Sequence, residues 1–117
     1  AAAGSACQIA RQAAELIDER GGEAPDLLYL SRVSPLPEEA LARLDGKKLL
    51  VTVEEAYERG GLVERLALTC EQRGMECRVR AVALPSVFVA SGTPAQQRKR
   101  LGLTPERIVE IYERQMR

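Results

Sequence analysis

Strand-like and helix-like segments alternate along the chain, and this alternation restricts the fold more than any other feature. Residues 5–20 repeat apolar side chains at steps of three and four, which is typical of an amphipathic helix. Residues 27–30 (LLYL) and 49–53 (LLVTV) are short apolar runs of the kind that forms strands buried on both faces. Residues 38–44 and 62–70 have helical spacing. This order predicts a largely parallel sheet covered by helices.

The second half of the chain continues the pattern. A further strand is predicted at residues 79–84. Thr93 and Thr104 each precede a proline, which places an N-cap residue before a favoured first helical residue and predicts two short helices. The last helix has the apolar spacing of a face docked on the sheet, with Ile108, Ile111 and Tyr112. Two capping boxes are predicted, at Ser5 with Gln8 and at Thr93 with Gln96.

The charge balance excludes several kinds of partner. The 117 residues carry 17 Lys and Arg against 17 Asp and Glu, so the formal net charge is zero. Binding to nucleic acid or an anionic membrane requires a basic face, and the basic run Arg98-Lys99-Arg100 is interpreted as a solvated helix face. No apolar run approaches the ~20 residues that cross a bilayer. We therefore expect one cytoplasmic domain over residues 1–117, with no nucleic-acid or membrane partner.

Histidine is absent, so the chain lacks the most common general base and metal ligand. Any catalysis would depend on carboxylates, Lys, Arg or Tyr. The three cysteines, Cys7, Cys70 and Cys77, form no CxxC pair, which argues against a structural zinc site. We interpret them as reduced thiols that pack as small apolar side chains.

Candidate crevice residues are sought beyond the carboxyl ends of the strands, where open parallel sheets bind their ligands. One interpretation makes the adjacent acids after the central strand a general acid/base or a cation ligand. In the other, one acid caps a helix or pairs with arginine, because neighbouring strand residues point to opposite faces. The glycine pair beyond them is either a phosphate-binding turn or a tight turn for close packing. The candidates are Gly4 and Ser5, Ser31 and Arg32, Glu54 and Glu55, and Gly60 and Gly61.

Several short motifs occur in a characteristic order. The strongest is residues 50–55 (LVTVEE) followed by Gly60-Gly61, and others are Ala3-Gly4-Ser5 and residues 34–37 (SPLP). Together they resemble the C-terminal domain of the transketolase family over nearly the whole chain. Residues 84–104, with LPSVFV and then LGLT, are similar to the ending of one branch of that family. The complete enzymes of this branch condense pyruvate with glyceraldehyde 3-phosphate for isoprenoid precursor synthesis.

The resemblance implies a three-layer α/β/α domain around a five-stranded mixed sheet. It implies thiamine diphosphate and Mg²⁺ in the parent enzyme, held by the preceding pyrimidine-binding and diphosphate-binding domains, and a homodimer. It therefore implies no catalytic, cofactor-binding or metal-binding residue in this chain, whose role would be structural and in dimerisation. Ser86 stands where the branch usually carries Asp, and residues 56–59 lack its usual pattern, so the substrate stays open.

The start of the chain suggests a missing part. A helix that opens at Ser5 needs a preceding strand, and only residues 1–3 remain of one. We therefore expect that the first strand or strands belong to a longer polypeptide. Two alternatives remain open. One is the equivalent domain of a 2-oxoacid dehydrogenase beta subunit or a 2-oxoacid:ferredoxin oxidoreductase, and the other is a free-standing α/β binding module.

Overall fold

Strands and helices alternate in the computed structural model, which describes residues 1–32, 35–57, 59–84 and 92–116. The bounds of the elements follow the predicted order closely. In chain order they are β1 (Ala2–Ala3), α1 (Ala6–Glu19), β2 (Tyr29–Leu30), α2 (Glu38–Leu44), β3 (Leu49–Tyr57), α3 (Leu62–Gln72), β4 (Arg78–Leu84), α4 (Pro94–Leu101) and α5 (Pro105–Gln115).

The described strands form one sheet with the order β2-β1-β3-β4. Every pairing in it is parallel: Ala2 lies opposite Tyr29 on one side and Val53 on the other, and Leu50 lies opposite Val79. The prediction of a mostly parallel sheet is therefore confirmed. The resemblance implied a fifth strand and a mixed sheet, and the residues that the structure describes supply four parallel strands.

The strand β1 has two residues and still occupies the centre of the sheet, between β2 and β3. It supplies the strand that the alternation requires before α1. The strand predicted at residues 27–30 is shorter than expected. In the structure β2 consists of Tyr29 and Leu30. The paired residues of β1 lie opposite Tyr29 and Leu30, so Leu27 and Leu28 precede the pairing, although the Leu28 carbonyl oxygen accepts a hydrogen bond from the Ala2 N–H at 2.9 Å.

The sheet has a hydrophobic core on each face. On one face α1 and α5 pack against β1, β3 and β4, with Ala6, Ile9, Ala10, Ala13, Ile17, Ile108 and Val109 buried. On the other face α2 and α3 cover the sheet, with Ala40, Leu41, Leu44, Leu62 and Leu66 buried. This arrangement is the predicted three-layer α/β/α architecture. The docking of the last helix is confirmed, with Ile111 and Tyr112 partly buried against the same core.

The central strand is longer than predicted. β3 continues through Glu54 and Glu55 to Tyr57, and its pairing with β4 is irregular between Val53 and Tyr57. The prediction that the two acids lie beyond the strand is therefore wrong. They occupy its last part, where side chains still alternate between the two faces of the sheet.

Helix capping follows the prediction at two of three sites. Thr93 and Gln96 form a complete capping box, and the Thr104 hydroxyl accepts a hydrogen bond from the Arg107 N–H at 3.3 Å. The capping box predicted at Ser5 is wrong, since its side chain makes no bond to the helix that it precedes. Ser5 has a partner elsewhere, which is described below.

The three cysteines are free, as predicted. Cys70 is buried, and Cys7 and Cys77 are partly buried against the two cores. Burial raises the pKa of the Cys70 and Cys77 thiols, and the neighbouring Cys70 adds to the effect at Cys77. Both thiols therefore stay protonated at neutral pH, as packing residues do.

Candidate functional site

A cluster of three side chains lies at the carboxyl ends of β1 and β3. The register that puts Ala2 opposite Val53 brings the residues after β1 alongside the last part of β3. Ser5 Oγ donates a hydrogen bond of 2.8 Å to Glu55 Oε2. Arg98 Nε, from α4, donates to the other carboxylate oxygen, Oε1. We call Ser5, Glu55 and Arg98 the carboxyl-end cluster.

Gly4 makes the approach of Ser5 to Glu55 geometrically possible. It has a φ of +63°, a left-handed conformation that residues with a Cβ adopt only with strain. A Cβ at this position would meet no atom within 4 Å, so the backbone conformation alone favours glycine. The chain therefore reverses sharply between β1 and α1, and Ser5 sits at the start of the helix facing β3.

Glu55 is held in its ionised form. The hydrogen bond from Arg98 is the main cause that lowers the pKa of this carboxyl below its usual value. Burial opposes this effect, and the hydrogen bond from Ser5 adds to it. A carboxylate whose two oxygens accept bonds from a guanidinium and a hydroxyl is a poor proton donor at neutral pH. The carboxyl-end cluster therefore links three elements of the fold and is unsuited to general acid catalysis.

Glu54 points to a different partner from its neighbour. Its Oε1 accepts a hydrogen bond of 2.5 Å from the main-chain N–H of Leu62, the first residue of α3. Gly61 is the N-cap of that helix and has no side chain to satisfy the free N–H groups of the first turn. Glu54 supplies the acceptor that Gly61 lacks, and its negative charge lies at the positive end of the helix.

The Gly60-Gly61 turn brings its N–H groups to carboxylates of the same chain. Gly60 has a φ of +75°, and its N–H donates a hydrogen bond of 2.9 Å to Glu64 Oε2. With Glu54 bonded to Leu62, two acids therefore occupy the start of α3. A phosphate placed there would compete with both carboxylates and be repelled by them. This geometry contradicts a phosphate-binding turn and agrees with a tight turn into the helix.

Arg32 lies apart from the other candidates. Its side chain is exposed, and its Nε donates a hydrogen bond of 3.0 Å to the carbonyl oxygen of Pro35. Ser31, its neighbour, is also exposed. Parts of the motifs quoted above lie outside the described residues, namely Ser34 of the SPLP segment, Glu58 of the loop at 56–59, and residues 85–90, which include Ser86.

Arg98 is the member of the cluster that sequence reasoning missed. The basic run was interpreted as a solvated helix face, which holds for the exposed Lys99 and Arg100 and is wrong for Arg98. The Arg98 side chain is 38% exposed and forms an ion pair with Glu55, 43 positions earlier in the sequence. Pairing of one acid with an arginine was one of the two alternatives, but no local pattern connects residues so far apart, so the sequence did not identify Arg98 as that arginine.

Neither a metal site nor a membrane span is found in the described part of the chain. No group of three His, Cys, Asp or Glu side chains there could hold a metal ion. None of the described helices has the length and apolarity needed to cross a bilayer.

These features define a parallel three-layer α/β domain in which Glu54, Glu64 and Glu55 bind a helix start, a turn and an arginine of the same chain. The chain belongs to the transketolase C-terminal domain family, since the model of that family, "Transketolase, C-terminal domain", matches residues 1–108. This agrees with the family resemblance of the motifs in the sequence.

Three similar proteins have the same enzyme name. The chain is 34% identical to 1-deoxy-D-xylulose-5-phosphate synthase of Desulforudis audaxviator, over 99% of this chain and 18% of the relative. It is 33% identical to the synthase of Symbiobacterium thermophilum, over 94% of this chain and 17% of the relative. The synthase of Heliobacterium modesticaldum is 31% identical over the same shares. The chain thus spans less than a fifth of the length of these relatives.

Proposed function

We propose that this chain is the C-terminal domain of a thiamine-diphosphate-dependent transferase of the transketolase type, 1-deoxy-D-xylulose-5-phosphate synthase. That enzyme condenses pyruvate with glyceraldehyde 3-phosphate in isoprenoid precursor synthesis. The observation that carries the proposal is the similarity to proteins of that name at 31 to 34% identity over 94 to 99% of this chain. The relatives named above favour this function over a 2-oxoacid dehydrogenase, a ferredoxin oxidoreductase or a free-standing module.

The residues described in this chain do not fit thiamine diphosphate or Mg²⁺. A diphosphate at the start of α3 would meet Glu54 and Glu64, which already accept the N–H groups of Leu62 and Gly60. The third acid nearby, Glu55, is paired with Arg98. We therefore assign the cofactor and its metal to the preceding pyrimidine-binding and diphosphate-binding domains, and no catalytic step to this chain.

The role proposed for this domain is to support the preceding domains and a homodimer. The candidate crevice residues lie at or beyond the carboxyl ends of the strands, where such a contact would form. They are Gly4, Ser5, Arg32, Glu54, Glu55, Gly60 and Gly61. Free cysteines fit a reducing compartment, and the cytoplasm is the proposed location.

Two measurements test this function. The full-length protein should form 1-deoxy-D-xylulose 5-phosphate from pyruvate and glyceraldehyde 3-phosphate when thiamine diphosphate and Mg²⁺ are present. Isothermal titration of the 117-residue chain with the same cofactors should show no binding. Full-length protein that is folded and inactive on these substrates would overturn the proposed reaction. Tight cofactor binding by the short chain would overturn the assignment of the cofactor to other domains.

The interdomain role has its own test in the full-length enzyme. Arg32→Glu reverses an exposed charge in the crevice, and Arg11→Glu does the same on the outer side of α1, where Arg11 lies near Glu15. We expect Arg32→Glu to lower kcat/KM or weaken the dimer several-fold, and Arg11→Glu to do neither. Equal behaviour of the two variants in activity and in sedimentation would remove Arg32 from the proposed contact.

A further inference from the structure

Two of the three cysteines lie at the same end of one layer of the fold. Cys70 is in the last turn of α3, and Cys77 directly precedes the first residue of β4. Both are free thiols. Neither belongs to the carboxyl-end cluster or to the turn at the start of α3, so the site described above leaves this pair without a role.

The helix α3 directs Cys70 towards the sheet. Leu62, Leu66 and Cys70 follow one another at steps of four residues, which places them on one stripe of the helix. Leu62 and Leu66 are buried in the core that α3 shares with the sheet, and Cys70 is itself 3% exposed. The Cys70 thiol therefore lies between α3 and the strands beneath it.

The chain entering β4 directs Cys77 towards the same helix. Residues two positions apart in extended chain share a face, and both Cys77 and Val79 are partly buried against the core under α2 and α3. The helix α3 packs on β4. The Cys77 thiol therefore enters the layer that holds Cys70, from the side of the sheet.

A compact turn fixed by main-chain bonds connects the two cysteines. The Met75 N–H donates to the Cys70 carbonyl oxygen at 2.9 Å. The Gly74 N–H donates to the Glu71 oxygen at 3.2 Å, and Gly74 has a φ of +67°, which completes a Schellman motif at the end of α3. The Cys77 N–H then donates to the Met75 oxygen at 3.0 Å. Two main-chain bonds in series therefore join Cys77 to Cys70 through Met75.

The pKa of the Cys77 thiol also reflects the nearby Cys70. Burial is the main cause that raises this pKa, and Cys70 is the second cause. The Cys77 sulfur makes a weak contact of 3.7 Å with the Arg78 carbonyl oxygen. A rotation of the Cys77 side chain towards Cys70 would give up this contact, which stabilises its present position little.

We propose that Cys70 and Cys77 are a redox pair, which a low-molecular-weight disulfide such as oxidised glutathione converts to an internal disulfide between α3 and β4. The partly exposed Cys77 reacts first: its thiolate attacks one sulfur of the small disulfide and releases one glutathione thiolate. The Cys70 thiolate then attacks the Cys77 sulfur, and the second glutathione thiolate leaves. Two cysteine thiols are oxidised, one small disulfide is reduced, and the two protons pass to the released thiolates.

The reduced and oxidised forms of this pair have different roles. In the reduced form both thiols pack as small apolar side chains, and because burial raises their pKa values they react slowly at neutral pH. In the oxidised form the last turn of α3 is covalently joined to the start of β4. The turn between them then becomes a closed loop over residues 70–77.

Oxidation of the folded full-length protein with oxidised glutathione tests this proposal. The remaining thiols are alkylated, and the protein is then denatured and digested with trypsin. Trypsin cleaves after Arg65, Arg73 and Arg78, so peptides 66–73 and 74–78 stay together in the mass spectrum only if their cysteines are bridged. We expect the linked peptides to contain most of the oxidised Cys77 and to separate on reduction with dithiothreitol.

Two variants and an unfolded sample serve as controls. Cys70→Ser should replace the linked peptides by a glutathione adduct on 74–78, because the first step still takes place. Cys7→Ser removes the thiol at the core under α1 and α5, and it should leave the linked peptides unchanged. In urea the turn between α3 and β4 is lost, so the share of linked peptides relative to adducts should fall several-fold.

The other outcomes overturn the proposal. In the folded protein Cys77 could carry the adduct alone, stay reduced, or be bridged to Cys7 or to a second molecule, and each result would show that Cys70 is not its redox partner. An equal share of linked peptides in urea and in the folded protein would show that the fold does not bring the two thiols together.

Discussion

Glu54 and Leu62 are joined by a hydrogen bond from the Leu62 main-chain N–H to Glu54 Oε1, at 2.5 Å. The bond connects the last part of the central strand to the first residue of α3 across the Gly60-Gly61 turn. Glu54 thus does at long range what an N-cap side chain does locally, because Gly61 has no side chain of its own.

Replacing Glu54 should therefore behave as the loss of a helix cap. We expect Glu54→Ala to lower the free energy of unfolding by about 1 kcal/mol, since the Leu62 N–H loses its partner. Glu54→Gln keeps an acceptor oxygen, so it should lower the free energy of unfolding by roughly half as much. Urea unfolding measures both, with Glu15→Ala as the control because the Glu15 side chain is 62% exposed. A Glu54→Ala variant as stable as Glu15→Ala would show that the bond contributes nothing.

The Glu55–Arg98 pair should couple weakly but measurably. Both side chains are about one-third exposed, so solvent screens the charges and the expected coupling is about 0.5–1 kcal/mol. A double-mutant cycle with Glu55→Gln and Arg98→Met gives this value directly. The control cycle is Arg11 with Glu15, whose atoms are 4.0 Å apart and whose side chains are about 60% exposed. Coupling energies of equal size in the two cycles would mean that α4 is not held by Glu55.

The ion pairs also predict how stability depends on pH. Hydrogen bonds from Arg73, Lys47 and Arg98, the main cause in each case, lower the pKa values of Glu38, Asp26 and Glu55. A carboxyl whose pKa is lower in the folded state stabilises the fold above its unfolded pKa, and this stabilisation is lost as the pH falls through the folded pKa.

The urea midpoint should accordingly be constant near neutral pH and fall below about pH 4.5, where the unfolded carboxyls begin to bind protons. Glu38→Gln should reduce the steepness of that fall, because Glu38 accepts two bonds from Arg73 at 2.7 and 3.1 Å. Glu71→Gln, an exposed acid on α3 without a described ion pair, is the control. A urea midpoint that rises on acidification would contradict the predicted direction of the pH dependence.

The two faces of α3 offer a matched test of the core. Leu66 is 1% exposed, and Leu68, two residues later on the same helix, is 58% exposed. Leu66→Ala should lower the free energy of unfolding by about 2–5 kcal/mol through lost burial and a residual cavity. Leu68→Ala should change it by less than about 0.5 kcal/mol. Similar losses in the two variants would mean that α3 packs with a different face.

The elements that sequence predicts best are those whose signals are local. The apolar spacing of α1, the β-branched run in β3 and the cap residues Thr93 and Thr104 each depend on a few neighbouring side chains. The joint position of Ser5 and Glu55 was also predictable, because parallel strands end at the same edge of the sheet.

The predictions that were wrong concern residues whose partners lie far away in the sequence. Ser5 has the residue type of an N-cap, but its hydroxyl donates to Glu55, 50 positions away. The extent of β2 depends on how far β1 reaches, and no property of Leu27 or Leu28 reveals that. The position of Arg98 depends on where α4 lies over the sheet, which local propensity does not determine.

The packing of α1 against α5 has a consequence for the order of folding during synthesis. These helices share a core, and Arg20 and Glu113 are joined across 93 positions of sequence. The core under α2 and α3 is built from Ala1, Ala3 and side chains between residues 28 and 79, so it can assemble before α5 is synthesised. The face under α1 stays open until α5 has left the exit tunnel. A pause in translation before α5 should therefore leave a half-covered sheet that chaperones recognise.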